Sequence, residues 1–239
     1  MDTVLFLHGW GGDENSFAPV ISMFEKQFKC VNLKFPQFQQ DDPALGTKEN
    51  SPDQIKPWTL EDYANFVERR LDELGIEKCH IVGHSFGARV AVLLVGRNPE
   101  RFEKLVLTGA AGIRKRRSFK TILKILWFKI KKKVGKIFGR KVVSGGSEDY
   151  RKLSDVGKVT FHNVIRRDLS AEIAKIAHST LLIFGGNDRA TPVRLGKKWQ
   201  KLAQVALLKI YQYSGHFCFI DEPERFIVDV FSFLGVVYK

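Results

Sequence analysis

Short apolar runs alternate with segments of helical periodicity along this 239-residue chain. Continuous apolar runs are typical of parallel strands that helices cover on both faces. Six such strands are predicted, at residues 3–7, 30–35, 79–82, 104–108, 180–184 and 206–213. Helices are predicted at residues 16–28, 59–74, 86–98, 194–203 and 223–234. The pattern predicts an α/β fold whose mostly parallel, doubly wound sheet has about six strands.

The alternation is interrupted between residues 113 and 178. We predict one core domain, made of residues 1–112 and 179–239, into which residues 113–178 are inserted as a basic helical cap. Sheets of this type bind ligands beyond the carboxyl ends of their strands. The glycine-rich and polar clusters of this chain follow its predicted strands, so we expect the functional site at that edge of the sheet.

One part of the insertion, residues 114–141, contains 13 Lys and Arg and no acidic residue. It accounts for the whole net charge of +13, because basic and acidic residues are equal in number elsewhere. Its apolar residues recur at helical spacing, which favours a cap helix with solvated lysines. The alternative is peripheral contact with an anionic membrane or with an acidic substrate. Because the charge is local and no binding module is recognisable, no specific nucleic-acid partner is predicted.

The start of the chain and its cysteines bear on its compartment. Residues 1–7 lead directly into a strand, without the basic and apolar regions of a signal peptide. No apolar run approaches the roughly 18 residues needed to span a bilayer. Cys30, Cys79 and Cys218 are an odd and sparse set, which favours reduced core thiols over disulfides or a metal site. We therefore expect a cytoplasmic protein.

The segment Gly83-His84-Ser85-Phe86-Gly87 lies between a predicted strand and a predicted helix. A glycine on each side lets the backbone turn sharply and holds the serine at the apex with its hydroxyl projecting. A glycine-flanked turn without chemistry is the simpler interpretation of five residues. The strand before it and the helix after it favour Ser85 as a nucleophile.

A serine nucleophile needs a histidine base, and the histidine needs an acid that fixes its tautomer. His216 follows the last predicted strand in a glycine loop, although it could also be a structural histidine of the core. Asp188 follows the fifth strand in a glycine-containing turn. Asp168 or Asp221 could supply the acid instead. The preferred order along the chain is serine, aspartate, histidine.

With this order of residues, the sequence resembles the α/β-hydrolase fold family over nearly its whole length outside the insertion. The resemblance implies that Ser85 is the nucleophile, His216 the general base and Asp188 the acid that orients it. It also implies that no metal or organic cofactor is required. The insertion occupies the place where members of the family carry a cap.

The loop of residues 8–12, with the sequence HGWGG, is similar to the oxyanion loop of that family. The resemblance implies that the backbone N–H groups of Trp10 and Phe86 form the oxyanion hole. Other residues near the predicted site are assigned to the substrate pocket: His8, Gly9, Gly11, His84 and Trp127.

These assignments predict a carboxylesterase that acts on small or medium acyl esters through an acyl-enzyme on Ser85, with a small-molecule ester as its partner. Residues 161–169 resemble the cap-to-core return of the smaller esterases and of carbon-carbon hydrolases. Hydrolysis of a carbon-carbon bond in a meta-cleavage product is therefore the alternative within the family. The alternative of another class is a membrane-surface or interaction protein in which the catalytic residues have lapsed.

Overall fold

A computed structural model of the chain describes residues 1–36, 56–114, 150 and 152–236. Its six strands form one sheet in the order β2-β1-β3-β4-β5-β6, and every neighbouring pair is parallel. The strands are β1 (Thr3–Leu7), β2 (Lys29–Leu33), β3 (Cys79–His84), β4 (Phe102–Thr108), β5 (Thr180–Gly185) and β6 (Ala206–Tyr211). The predicted parallel sheet is confirmed.

Helices cover both faces of the sheet. They are α1 (Ala18–Phe24), α2 (Leu60–Glu73), α3 (Phe86–Arg97), α4 (Asp155–Arg166), α5 (Ser170–Ile173), α6 (Val193–Leu202), α7 (Cys218–Asp221) and α8 (Pro223–Leu234). Residues of one strand point alternately to the two faces, so Leu5 and Leu7 pack with α2, α3, α5 and α6. Val4 and Phe6 pack with α1, α7 and α8 on the other face. The sheet is therefore doubly wound, as predicted.

Two strands end earlier than predicted. β2 stops at Leu33, and the backbone N–H of Phe35 donates to Nε2 of His8 at 2.9 Å instead of to a neighbouring strand. β6 stops at Tyr211, whose carbonyl accepts from the N–H of Ser214 in a turn. Helix α7 was not predicted, because its four residues are too few to show helical periodicity.

The start of the predicted insertion, at residue 113, lies beside Asp168 and Leu169, about ten residues before its predicted end at residue 178. The N–H of Leu169 donates to the carbonyl of Gly112 at 3.0 Å, and the N–H of Arg114 donates to Oδ2 of Asp168 at 2.7 Å. Asp168 therefore holds the base of the insertion together. The helical part of the predicted cap that the structure describes is α4 and α5.

Residues 37–55 and 115–149 lie outside the described part of the chain. The predicted cap helix within residues 114–141 and its membrane contact fall almost entirely there, as does Trp127, and they stay predictions. The limits of the two predicted domains also stay predictions. Within the described ranges, no helix has both the length and the apolar character that crossing a bilayer requires.

Candidate active site

Ser85 lies in a strained turn between β3 and α3. Its φ of 49° and ψ of −100° make it the one non-glycine residue with positive φ in the described part of the chain. The turn is held by its backbone: the N–H of Ser85 donates to the carbonyl of Thr108 at 3.0 Å. Gly87 passes so close to β1 that a Cβ would lie 2.0 Å from the carbonyl oxygen of Leu7. The Ser85 side chain makes no capping hydrogen bond to α3, so its hydroxyl is available for chemistry.

We expect Ser85→Gly to be more stable than Ser85→Ala by about 1 kcal/mol, because glycine adopts positive φ without a steric penalty. Thermal unfolding of the two variants should differ by about 2–4 °C in Tm. As a control, Ala91→Gly within α3 should lower Tm, because glycine costs about 1 kcal/mol in a helix. Equal Tm values for the two Ser85 variants would contradict a strained turn.

His216 and Asp188 form a direct hydrogen bond. Nδ1 of His216 lies 2.7 Å from Oδ2 of Asp188, which is buried at 5 % exposure. The other carboxylate oxygen accepts from the N–H groups of Ala190 and Thr191 at 2.7 and 2.9 Å. Burial opposes ionisation of Asp188, but the hydrogen bonds from His216 and Thr191 outweigh it and lower its pKa to about 2. The ionised carboxylate keeps the proton on Nδ1 and leaves Nε2 of His216 free to act as a base.

Acid should remove stability that Asp188 supplies. Its pKa of about 2 in the folded protein lies below the unfolded value of about 3.9, so the contribution is complete above about pH 5 and is lost as the pH falls through 4 toward 2. This linkage amounts to about 2 to 3 kcal/mol at neutral pH, of which about 1 kcal/mol is lost by pH 3. Urea unfolding at pH 6 and pH 3 should show this extra loss in the wild type relative to Asp188→Asn. Equal losses in both proteins would contradict the lowered pKa.

Thr191 is a member of the site that the sequence did not predict. Its Oγ1 lies 2.7 Å from Oδ2 of Asp188, 3.2 Å from Nδ1 of His216 and 3.0 Å from the carbonyl of Gly109 at the end of β4. Gly109 has φ of +53°, and a Cβ there would lie 3.1 Å from the His216 ring. Thr191 thus joins the ends of β4 and β5 beneath the imidazole. A threonine three residues after an aspartate is the only signal in the sequence, and it is a common turn pattern.

His84 and His8, both assigned to the substrate pocket, are buried and orient loops. Nε2–H of His84 donates to the carbonyl of His216 at 3.1 Å, and the two rings lie 4.7 Å apart. Burial and the neighbouring His216 lower the pKa of His84 to about 3, so its ring stays neutral. Nδ1–H of His8 donates to the carbonyl of Gly9 at 2.7 Å, and burial lowers its pKa as well. Each neutral ring fixes the backbone beside the serine.

The loop of residues 8–12 lies directly against Ser85. A Cβ at Gly9 would lie 3.6 Å from Cβ of Ser85 and 2.7 Å from Nδ1 of His84. The loop turns through a hydrogen bond from Gly12 N to Gly9 O at 3.1 Å and through Gly11, which has φ of +80°. Within the described residues, the backbone N–H of Trp10 and that of Phe86 have no protein acceptor. The predicted oxyanion hole, formed by these two N–H groups, stays a prediction.

An aromatic wall adjoins this loop. The ring of Trp10 lies 5.4 Å from that of Phe86, 6.3 Å from that of Tyr63 and 5.2 Å from that of Phe161 on α4. Phe161 in turn lies 5.6 Å from the ring of Tyr150. We call Trp10, Phe86 and Phe161 the aromatic wall. Phe86 is buried at 4 % exposure, whereas Trp10 and Phe161 are half-buried, so these two supply the accessible part of the wall.

The two alternative acids lie elsewhere. Asp221 accepts from the N–H of Gly215 at 2.7 Å, and Asp168 lies at the base of the insertion. Neither is hydrogen-bonded to His216. The structure therefore brings His216 together with Asp188 and with neither alternative.

Comparisons with known proteins agree with this architecture. The model of the alpha/beta hydrolase fold family matches residues 2–129. The chain is 25% identical over 246 residues to the dihydrolipoyllysine-residue acetyltransferase component of the acetoin cleaving system of Cupriavidus necator. That alignment covers 94% of this chain and 61% of the relative, so the chain spans less than two thirds of that protein.

Two solved structures show the same fold. A meta-cleavage product hydrolase from Pseudomonas fluorescens IP01 aligns with a TM-score of 0.70 at 20% identity, over 98% of this chain and 90% of the other. An esterase from Exiguobacterium antarcticum aligns with a TM-score of 0.72 at 20% identity, over 98% and 92% of the two chains.

Proposed function

Since this chain belongs to the alpha/beta hydrolase fold family, we propose that it is a serine hydrolase that cleaves carboxylic esters of small or medium apolar acids. The observation that carries the proposal is the 2.7 Å hydrogen bond between His216 and the buried Asp188. It lies close to the positive-φ turn of Ser85, because the ring of the preceding residue, His84, is 4.7 Å from that of His216. This is the arrangement that activates a serine hydroxyl.

In the proposed acylation step, Oγ of Ser85 attacks the ester carbonyl while Nε2 of His216 removes its proton. Charge develops on the carbonyl oxygen, which accepts hydrogen bonds from the free N–H groups of Trp10 and Phe86. The N-terminus of α3 adds positive potential at the same place. His216 then donates the proton to the leaving alcohol, and the acyl group remains on Ser85.

In the deacylation step, a water molecule attacks the acyl carbonyl and gives its proton to Nε2 of His216. The same two N–H groups bind the oxyanion, and the proton returns to Oγ of Ser85 as the carboxylic acid leaves. Asp188 stays ionised throughout and stabilises the imidazolium at each stage. The cycle needs only the ester and water.

The second candidate is hydrolysis of a carbon-carbon bond in a meta-cleavage product, which the structural similarity to such a hydrolase favours. The half-buried Trp10 and Phe161 of the aromatic wall favour the ester instead, because their rings offer apolar surface and no charge to a carboxylate of the substrate. Both reactions would use Ser85 and His216. A direct comparison of substrates therefore has to separate them.

The test combines a substrate panel with covalent labelling. We expect turnover of p-nitrophenyl acetate, butyrate and hexanoate, weaker turnover of a 2-hydroxy-6-oxo-dienoate, and mass-spectrometric labelling of Ser85 by a fluorophosphonate. Ser179→Ala, at a serine before β5, should be labelled like the wild type. Preferred cleavage of the dienoate would support the second candidate. Absence of both turnover and labelling would support the lapsed alternative.

A further inference from the structure

Arg89 is a buried arginine on α3, four residues after Ser85. It is 7 % exposed, and its guanidinium donates to three backbone carbonyls at the end of α4. Nη1 lies 3.0 Å from the oxygens of Val164 and Arg167, and Nη2 lies 3.4 Å from that of Ile165. Burial lowers its pKa to about 10, so it is still charged at neutral pH. A buried charge of this kind demands a structural or functional reason.

The end of α4 explains why a cation is needed there. The last carbonyls of a helix have no partner within it, and they carry the negative end of the helix dipole. At Arg167 the backbone turns to φ −70° and ψ 126°, which is an extended conformation and not a closing turn. The guanidinium of Arg89 therefore caps α4 from a neighbouring helix. The N–H groups of the planar guanidinium bind three carbonyls at once. The compact ammonium group of a lysine would not match the same geometry.

Helix α4, whose end Arg89 binds, also contributes to the aromatic wall. One turn before its last residues, α4 carries Phe161, whose ring lies 5.2 Å from that of Trp10. The backbone of Trp58 binds the same part of α4. The backbone N–H of Trp58 donates to Oγ1 of Thr160 at 3.0 Å, and its carbonyl accepts from Nδ2 of Asn163 at 3.3 Å. The contact of Phe161 with Trp10, in the loop of residues 8–12, thus depends on how α4 is held.

We propose that Arg89 is a positioning residue that sets acyl-chain selectivity by fixing α4, and with it Phe161, relative to the nucleophile helix α3. The inference rests on the proposed ester hydrolysis and specifies its substrate class as esters of linear apolar acids that lie against Trp10 and Phe161. Arg89 contacts neither the substrate nor the reacting atoms in this account. Its replacement should change selectivity and KM more than the reactivity of Ser85.

The test measures kcat and KM for p-nitrophenyl acetate and hexanoate in the wild type, Arg89→Lys and Arg89→Met. We expect kcat/KM for hexanoate to fall about 10- to 100-fold, mainly through KM, because displacement of a positioning element by about 1 Å costs up to about 10²-fold. Acetate turnover, and Ser85 labelling by diisopropyl fluorophosphate, should change less than about threefold. Arg97→Met is the matched control, since Arg97 is on the same helix and pairs with Asn65 and Glu68 at the surface.

A second arm uses Phe161→Ala, alone and combined with Arg89→Lys. If Arg89 acts through α4, the two changes lower the hexanoate-to-acetate ratio by less together than the product of their separate effects. Multiplicative effects, or a selectivity that Arg89→Lys leaves unchanged, would overturn the inference. Slower Ser85 labelling in a folded Arg89 variant would also overturn it, by showing an effect on the serine itself. If both Arg89 variants unfold, an unchanged ratio in Phe161→Ala overturns it and a lowered ratio supports it.

The same measurements distinguish failure of the proposed ester hydrolysis from failure of the proposed role of Arg89. A wild type that turns over neither ester and resists labelling removes the ester hydrolysis on which this inference rests, and so overturns both. A wild type that is labelled and hydrolyses both esters, with selectivity independent of Arg89, removes the inference alone. The two results are read from different proteins in the same experiment.

Discussion

Replacing Ser85 with alanine should lower kcat for p-nitrophenyl butyrate by on the order of 10⁶-fold, because the residue proposed to carry the acyl group is lost. The residual rate over water should come from the N–H groups of Trp10 and Phe86 and from substrate binding. Steady-state kinetics measure the loss, and circular dichroism checks that the fold is retained. The variant should also fail to react with a fluorophosphonate.

Contamination by an esterase of the expression host is the main hazard in such a measurement. Active-site titration of the wild type with a fluorophosphonate gives the concentration of reactive serine, which should equal the protein concentration. Ser85→Ala purified in the same way gives the background. A loss of less than about tenfold in a clean preparation would show that another residue carries the reaction.

Asp188→Asn should lower kcat by about 10⁴-fold while preserving the fold. An amide can donate to Nδ1 of His216, which stabilises the tautomer with its proton on Nε2 and removes the base from Ser85. The carboxylate that stabilises the imidazolium is lost as well. The measurement is kcat between pH 5 and pH 9, and the low rate should persist throughout.

The two other aspartates provide matched controls. Asp168→Asn and Asp221→Asn make the same chemical change beside Arg114 and beside Gly215, where neither carboxylate is hydrogen-bonded to the imidazole. Each should retain kcat within about tenfold of the wild type. A loss of about 10⁴-fold in Asp221→Asn alone would assign the acid to Asp221 instead.

The sequence predicted the sheet well because its signal is local. Each strand is a short apolar run, and a buried strand such as β5 has no polar face that would confuse the pattern. The ends of strands were harder to predict, since they depend on contacts between distant residues. Phe35 leaves the sheet because its N–H meets the ring of His8, 27 residues away in the chain. Nothing near Phe35 in the sequence indicates that partner.

In the candidate site, too, the residues with a local sequence signal were predicted and those defined by distant contacts were not. Ser85, Asp188 and His216 could be named because each lies in a glycine-containing loop just after a strand. Thr191 and Arg89 could not, because their importance comes from what the fold places opposite them. Oγ1 of Thr191 meets a carbonyl 82 residues away, and the guanidinium of Arg89 meets carbonyls 75 to 78 residues away.

The contacts that join residues 112 and 114 to residues 169 and 168 have a consequence for how such a protein can change during evolution. β4 and β5 pair directly, with Leu105 opposite Thr180, so the sheet is complete without the intervening residues. The bonds from Leu169 to Gly112 and from Arg114 to Asp168 close the insertion at its base. A different segment could be grafted between these points while Ser85, Asp188 and His216 keep their places. Selection can then alter the substrate without rebuilding the chemistry.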